Sequence, residues 1–443
     1  MTKKDHVFSL DYYFFLYTFL FQLLIVLLHF DFKTMKILHT SDWHLGQKLY
    51  DFDRKDEQIH FLRQIAGIVK NEKPDAMIVS GDIFHVATPN IETQTMFVDE
   101  LLNIHNQCDT MTIVVTAGNH DSYSRLEIDK KLWDKLHIYI IGNVSGNVEE
   151  HLINICGKGW IAAVPYSSGR NFPQLSEDET FDRQTLYFNT LQEKAKELNT
   201  ENLPVILSAH LAVFGSNVRG HKIEKSTDGQ EIIGGLEYSD ASQLGDYYDY
   251  IALGHIHHPQ YVGCGKRIRY CGTPMAITFN EEYEHSVTII DIDKHDDVPD
   301  IKILPINELR PVRTLPEEDS FEPKGETVEN IMLLLNKIKD EDVYLRLNIK
   351  MGRNDNAAEI NERIINALGD KDCHKCRYCS INPIREDDFS QTIENQSLSL
   401  DEIKEMTANQ IVEIAKQVKD LDDNQQEMLI EIIGQIEKEN DTL

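Results

Sequence analysis

Between Met35 and His257, five short apolar runs each stop at, or just before, a side chain able to bind a cation. The run 76–79, AMIV, is bounded by Pro74, Asp75 and Gly81 and reads as a buried strand. Asp82 then lies at the carboxyl end of that strand, where open α/β sheets place their ligands. Four more runs end in the same way. The run 35–40 precedes Asp42, Trp43 and His44, and 112–116 precedes Gly118, Asn119, His120 and Asp121. His210 ends 205–209, and Gly254, His255, Ile256 and His257 follow 250–253. A lone histidine after a strand is ordinarily structural, but repetition along one chain points to a shared site.

Between these runs the pattern becomes that of a helix. Ile59, Leu62, Ile65, Ala66 and Val69 share one face of a stretch predicted helical over 54–71. Further helices are expected near 91–106 and 124–136, before a strand at 137–141. Strand and helix thus alternate as in a layered α/β domain. The next part is richer in strands: a hairpin of 152–156 and 160–164, a polar helix over 182–198, then strands at 205–209, 249–253, 261–262, 268–271, 286–292 and 301–306. Their short, turn-separated pattern predicts a second sheet packed on the first. The expected architecture is a two-sheet αββα sandwich over 35–308, with the candidate ligands along one edge. The loop 215–238 is polar and without periodicity, and reads as a functional surface loop.

Composition shifts near Leu309, Arg310 and Pro311. From there a small α+β domain is expected over 309–385, with helices near 327–339 and 357–367 and strands at 343–349 and 378–381. A polar linker, 386–399, leads to a tail, 400–443, of two amphipathic helices. Ile411, Ile414, Ala415 and Val418 share a face in the first, and Leu429, Ile432, Ile433 and Ile436 in the second. Short helices beyond a linker need something to pack on, either their own chain or a partner. At the other end, 12–30 is uncharged and apolar, roughly the 20 residues that span a bilayer. Almost no linker separates it from the first core strand, and Lys3 and Lys4 would send the rest of the chain outward. We therefore read 1–34 as an upstream-start extension rather than a membrane segment, with Met35 a natural initiator.

The 443 residues carry a formal charge of −30, which argues against a whole-surface electrostatic grip on nucleic acid. It does not exclude DNA as substrate, since divalent cations and a basic partner can supply local attraction. Seven cysteines, an odd number, read as reduced thiols. Cys373, Cys376 and Cys379 have the gaps of a metal motif, but no fourth cysteine follows and His374 is the only extra donor nearby. The incidental reading is preferred.

One carboxylate can bridge two cations, and Asp82 is the candidate bridge. Mixed carboxylate, amide and imidazole donors suit Mn²⁺, Fe²⁺ or Zn²⁺ better than an all-oxygen site would. Asp42 and His44 lie two residues apart, as do His255 and His257, so on an extended segment each pair would face one side. Two cations about 3.5–4 Å apart can clamp the oxygens of an in-line phosphoryl displacement.

The ordered motifs DWH, GD, GNHD, H and GHIH resemble those of the calcineurin-like metallophosphoesterases. Their flanks, MKILHTSDWHLGQKLY, SGDIFHVATP, AGNHDS, SAHL, LGHIHHPQ and YCGTPMAITFNEEYEHSV, resemble the SbcD family of bacterial nuclease subunits, which act with the ATPase SbcC. The resemblance covers 35–310 strongly and 310–385 in pattern. It implies that Asp42, His44, Asp82 and His257 hold one divalent cation, and that Asp82, Asn119, His210 and His255 hold the other, with Mn²⁺ the expected metal. It gives His120 the stabilisation of the transition state or protonation of the leaving 3′ oxygen, Asp121 the orientation of His120, and His85 the positioning of the DNA strand. Many phosphatases of this fold read GD-x-x-D-R. Here His85 and Val86 stand at the last two places, which fits a phosphodiester better than a phosphomonoester. The implied activity is 3′→5′ exonuclease and single-strand or hairpin endonuclease cleavage of DNA. By the same resemblance, 309–385 would embrace DNA and 400–443 would dock on SbcC. The assembly would be a homodimer within a cytoplasmic SbcC2–SbcD2 heterotetramer. The alternatives are a phosphodiesterase for nucleotides or small diesters, and a metal-free scaffold of the same fold.

Overall fold

In a computed structural model, residues 34–176, 182–218, 223–225, 231–233, 236–263, 265–317, 320, 327–351, 356–368 and 375–385 are described. The apolar run 12–30, Cys373, His374, the linker and the tail lie outside them. The chain divides into two units. The larger comprises Met1–Lys48, Phe52–Ile277 and Tyr283–Glu308, and the smaller comprises Leu49–Asp51, Thr278–Glu282 and Leu309–Leu443.

The larger unit is built on two six-stranded sheets. In the first, strands Met35–Thr40, Ala76–Ser80, Thr112–Thr116 and Ile138–Ile141 run parallel. In the second, Trp160–Val164, Val205–His210, Tyr250–Gly254 and Ile268–Tyr270 run parallel. The hairpin strand Leu152–Asn154 flanks one end and Gln260–Val262 the other, both antiparallel. These strands read as near-continuous apolar runs because both faces are covered. Ile37, Ala76, Ile78 and Val114 meet Ile161, Ala163, Ile206 and Ala252 between the sheets. Leu38, Met77, Val79 and Val115 face outward onto Phe61, Leu62, Ile65 and Leu101. These four come from helices Lys55–Glu72 and Ile91–His105. The opposite outer face packs on Tyr187, Phe188 and Leu191 of helix Arg183–Leu198. This is the αββα sandwich that the sequence predicts. Among the described residues no helix is long and apolar enough to cross a membrane.

Three expectations need correction. Strands Ser286–Ile292 and Asp300–Pro305 join the first sheet rather than the second. The edge of Met35–Thr40 is open on one side, and Ser286–Ile292 closes it antiparallel, with Ile290 and Ile292 entering the inter-sheet core. The helix expected over 124–136 is broken into Tyr123–Leu126, Lys130–Trp133 and a 3₁₀ turn, Asp134–Leu136. Leu126 and Trp133 point inward, whereas Ile128 and Leu132 are exposed. At the break the Glu127 carboxylate accepts the Gly142 N–H at 2.9 Å. The loop 215–238 contains short strands Ile223–Lys225, Glu231–Ile233 and Leu236–Ser239, paired through backbone bonds.

The smaller unit has a parallel sheet of Val312–Leu315, Tyr344–Met351 and Arg377–Arg385. Helices Thr327–Ile338 and Ala357–Leu368 connect them in βαβ fashion. Its core gathers Ile331, Leu335, Leu345, Leu347, Ile349 and Ile364. The sequence did not predict Val312–Leu315 as a strand. Cys376 is buried in this unit and Cys379 is half-buried.

Candidate metal centre

Five strands, three from the first sheet and two from the second, deliver seven candidate ligands to one rim of the sandwich. Asp42 and His44 follow Met35–Thr40, Asp82 follows Ala76–Ser80, and Asn119 follows Thr112–Thr116. His210 ends Val205–His210, and His255 and His257 follow Tyr250–Gly254. The loops are laced together. The N–H groups of Asp42, His44 and Leu45 donate to the carbonyls of Gly81, Asp82 and Ile83 at 2.9–3.0 Å.

The ligand pairs do not lie on extended backbone as expected. Asp42, His44, Asp82 and His255 have φ of 53°, 44°, 49° and 98°. The left-handed region is uncommon for residues with a Cβ and is held only where the surroundings enforce it. Here the turn after each strand swings the side chains toward one point.

Asp82 sits at the middle. Its Oδ2 lies 3.6 Å from His44 Nε2 and 3.5 Å from His210 Nε2, while its Oδ1 accepts the His120 backbone N–H at 2.9 Å. On one side, His44 Nε2 and His257 Nε2 face each other at 3.2 Å beside Asp42. On the other, Asn119 Oδ1 is 3.0 Å from His210 Nε2 and 3.2 Å from His255 Nδ1. The groups Asp42–His44–His257 and Asp82–His210–His255 each bring their donor atoms within 4.8 Å of one another. His210 Nδ1 donates to the Ser80 carbonyl at 2.9 Å, which leaves Nε2 toward the centre. Asp42 Oδ1 accepts the His255 N–H at 2.9 Å and its Oδ2 accepts the Ser41 hydroxyl.

The electrostatics fit a cation pair. Burial alone would neutralise Asp82, but His210, His44 and His120 hold its carboxyl well below the usual range. Burial opposes protonation of His210, yet Asp82 and Asp42 outweigh it and raise the imidazole to about 9. Without a cation, a proton on His210 thus answers the buried negative charge. Metal binding to such a ring displaces that proton. Burial, opposed by Asp82 and reinforced by His257 and His120, holds His44 well below the usual histidine range, so the ring is neutral and can donate a lone pair.

His85 and His120 also reach this rim. Their rings stack 5.7 Å apart, and His44 meets them edge-on at 5.5 Å and 5.0 Å. Asp121 is placed differently from the expected His120 partner. Its carboxylate accepts the backbone N–H groups of Ile83, Phe84 and Gly118 at 2.9–3.0 Å. It therefore ties the Asp82 loop to the Asn119 loop. His120 Nδ1 instead donates to the His85 carbonyl at 2.9 Å. Sequence reasoning missed Ser41, which also lies 3.1 Å from the buried Cys271 thiol. Its adjacency to Asp42 was the available signal.

The model of the calcineurin-like phosphoesterase family matches residues 35–259, which is 225 of the 443. The chain is similar to the SbcD component of the SbcCD nuclease of Bacillus subtilis, with 33% identity over 58% of this chain and 66% of that one. It is also similar to the SbcD components from Rhodobacter capsulatus, at 30% identity over 58% and 66%, and Escherichia coli, at 30% over 57% and 65%. The chain thus spans just under two thirds of the length of these relatives. The match runs through every strand end that supplies the seven ligands, and the chain belongs to the calcineurin-like phosphoesterase family.

Proposed function

We propose that the chain is a two-cation phosphodiesterase that cleaves DNA, acting as the nuclease subunit of an SbcC-dependent complex in the cytoplasm. The observation that carries this reading is Asp82, held between His44 at 3.6 Å and His210 at 3.5 Å with a donor set on each side. Asp42, His44, Asp82 and His257 would hold one cation, and Asp82, Asn119, His210 and His255 the other, with Mn²⁺ the expected metal. When bound, such a pair supplies Lewis-acid charge for the phosphoryl oxygens and acidifies the attacking water.

The chain's own residues do the rest. Neutral Asn119 keeps the ligand set to two carboxylates, so the loaded rim is net positive toward a phosphodiester. His120 has its Nδ1–H committed to the His85 carbonyl; as the imidazolium it would carry a second proton on Nε2, give that proton to the departing 3′ oxygen and be left as the neutral ring. His85 stacks on His120 and positions the strand. Asp121 fixes both loops through their backbones. DNA ends and hairpins are the proposed substrates. The proposed assembly is a homodimer carried by SbcC in a heterotetramer, with 309–385 as the DNA-facing module and 400–443 as the docking tail.

The test is cleavage of end-labelled hairpin and single-stranded DNA in Mn²⁺ or Mg²⁺, with and without SbcC, beside a chromogenic small diester. Mn²⁺-dependent DNA cleavage should exceed diester turnover. Rapid hydrolysis of the small diester with no cutting of DNA under any condition would refute the nuclease reading in favour of a small-molecule phosphodiesterase.

A further inference from the structure

Strand Ile268–Tyr270 runs parallel to Tyr250–Gly254 and ends at the same rim, yet it delivers none of the seven candidate ligands. The three residues after it touch the donors' supports instead. Cys271 is fully buried, and its Sγ lies 3.1 Å from the hydroxyl of the equally buried Ser41, across the gap between the sheets. The Thr273 N–H donates to the His257 carbonyl at 3.1 Å. Gly272, between them, has φ 76°, and a Cβ there would meet the His257 carbonyl oxygen closer than 3.0 Å. The segment is itself fixed from behind, where His285 Nδ1 donates to the Thr273 carbonyl at 2.8 Å. It therefore braces His257 through the backbone and reaches Asp42 through Ser41.

A count of protons fixes the direction of the thiol contact. As a cation ligand Asp42 is a carboxylate, and its Oδ2 can only accept the Ser41 hydroxyl proton. Ser41 has no second proton, so its Oγ is the acceptor toward Cys271 and the S–H is the donor. Burial pushes the Cys271 thiol up to about 12, so it carries that proton at neutral pH. The other acceptor within reach, the Gly272 carbonyl, lies farther from Sγ, at 3.5 Å.

We propose that Cys271 is a positioning residue for Asp42: its S–H donates to Ser41 Oγ, which commits the Ser41 proton to Asp42 Oδ2 and holds the carboxylate beside His44 and His257. This rests on Asp42 being a cation ligand, as in the two-cation reading above. The thiol touches neither cation nor substrate and acts only through Ser41.

The test is a double-mutant cycle on Mn²⁺ binding to chelator-stripped full-length protein, read by the EPR signal of free Mn²⁺ with no substrate present. Ser41→Ala should weaken one of the two ions by about 10- to 100-fold, as loss of a ligand's outer partner does. Cys271→Ala should weaken the same ion by about 2- to 10-fold, the worth of one neutral hydrogen bond. In the Ser41→Ala background it should cost nothing further, because the shared contact is already gone. Cys271→Ser leaves nearly the same void as Cys271→Ala but restores an O–H donor, so it should recover most of the lost affinity with no gain in thermal stability. Circular dichroism checks that each variant is folded. Wild-type affinity in Cys271→Ala, an equal loss in both backgrounds, or equal affinities of the serine and alanine variants would overturn the inference. Fewer than two ions bound to the wild-type protein would instead overturn the two-cation reading.

Discussion

Gly118 offers a sharp test of how closely the centre is packed. A Cβ built on it would meet both Oδ1 and the backbone nitrogen of Asp82 closer than 3.0 Å. Neither atom can yield cheaply. Oδ1 accepts the His120 N–H, and the backbone around Asp82 is tied through the carbonyls of Gly81 and Asp82 to the N–H groups of Asp42 and His44. Gly118 cannot retreat freely either, since its N–H donates to Asp121 at 2.9 Å. Gly118→Ala must therefore separate the two loops by roughly 1 Å. Overpacking of this kind costs about 1–3 kcal/mol of stability, and a 1 Å misplacement near reacting groups lowers rates by about 10²-fold. Because Asp82 faces both halves of the donor set, both cation positions should weaken together. The control is Gly67→Ala, on the exposed face of helix Lys55–Glu72 with nothing within 4 Å of the new Cβ. It should stabilise by about 0.5–1 kcal/mol. Thermal unfolding and Mn²⁺ titration of both variants decide the matter. Wild-type affinity for two ions in Gly118→Ala would refute the argument, whatever its stability.

Two further outcomes follow from the same geometry. His120→Ala should lower hydrolysis by about 10²- to 10⁴-fold, as loss of a general acid does, while two Mn²⁺ ions still bind; loss of an ion would make His120 a ligand instead. His39 lies between the sheets, 3.1 Å from the Tyr250 hydroxyl, and burial, aided by Arg269, lowers its pKa to about 3. The folded protein keeps this ring neutral while the unfolded chain protonates it below about pH 6.5, so the unfolded state binds more protons between those values. Its contribution is present in full above about pH 6.5 and is lost as pH falls toward 3, reaching about 5 kcal/mol. Urea unfolding should show wild-type stability dropping faster than that of His39→Gln below pH 6.5, by up to about 1.4 kcal/mol per pH unit; parallel slopes would exclude the linkage.

The first sheet and the candidate ligands at its strand ends were legible because strand burial and strand ends both leave local marks. Ala76–Ser80 announces itself by composition, and Asp82 by standing where it stops. The assignment of Ser286–Ile292 to the first sheet was not legible, since an antiparallel strand buried on both faces reads alike in either sheet. What decided it was the open edge of Met35–Thr40, a property of the assembled fold. The broken segment at 123–136 kept helical composition, but the Glu127 contact to Gly142 is a tertiary event. Asp121 stood out in the sequence beside Asn119 and His120, but its contacts were not legible there. Three backbone N–H groups from two loops reach it only once those loops have met.

Asp42, His44, Asp82 and Asn119 belong to the first sheet, and His210, His255 and His257 to the second, so neither sheet alone supplies either proposed donor set. The contacts that join them cross the seam: the Ser80 carbonyl to His210, Ser80 Oγ to Ser208 Oγ, and Asp42 to the His255 N–H. Cations bound across this seam favour only the packed state, and their binding stabilises it by mass action. The converse is that the packing between the sheets sets the spacing of the donors. A volume change at Ile78 or Ala252, which face each other's sheet beneath the centre, acts on Asp82 and His255 at the ends of the same two strands. The chemistry of the rim is thus continuous with the packing of the sandwich.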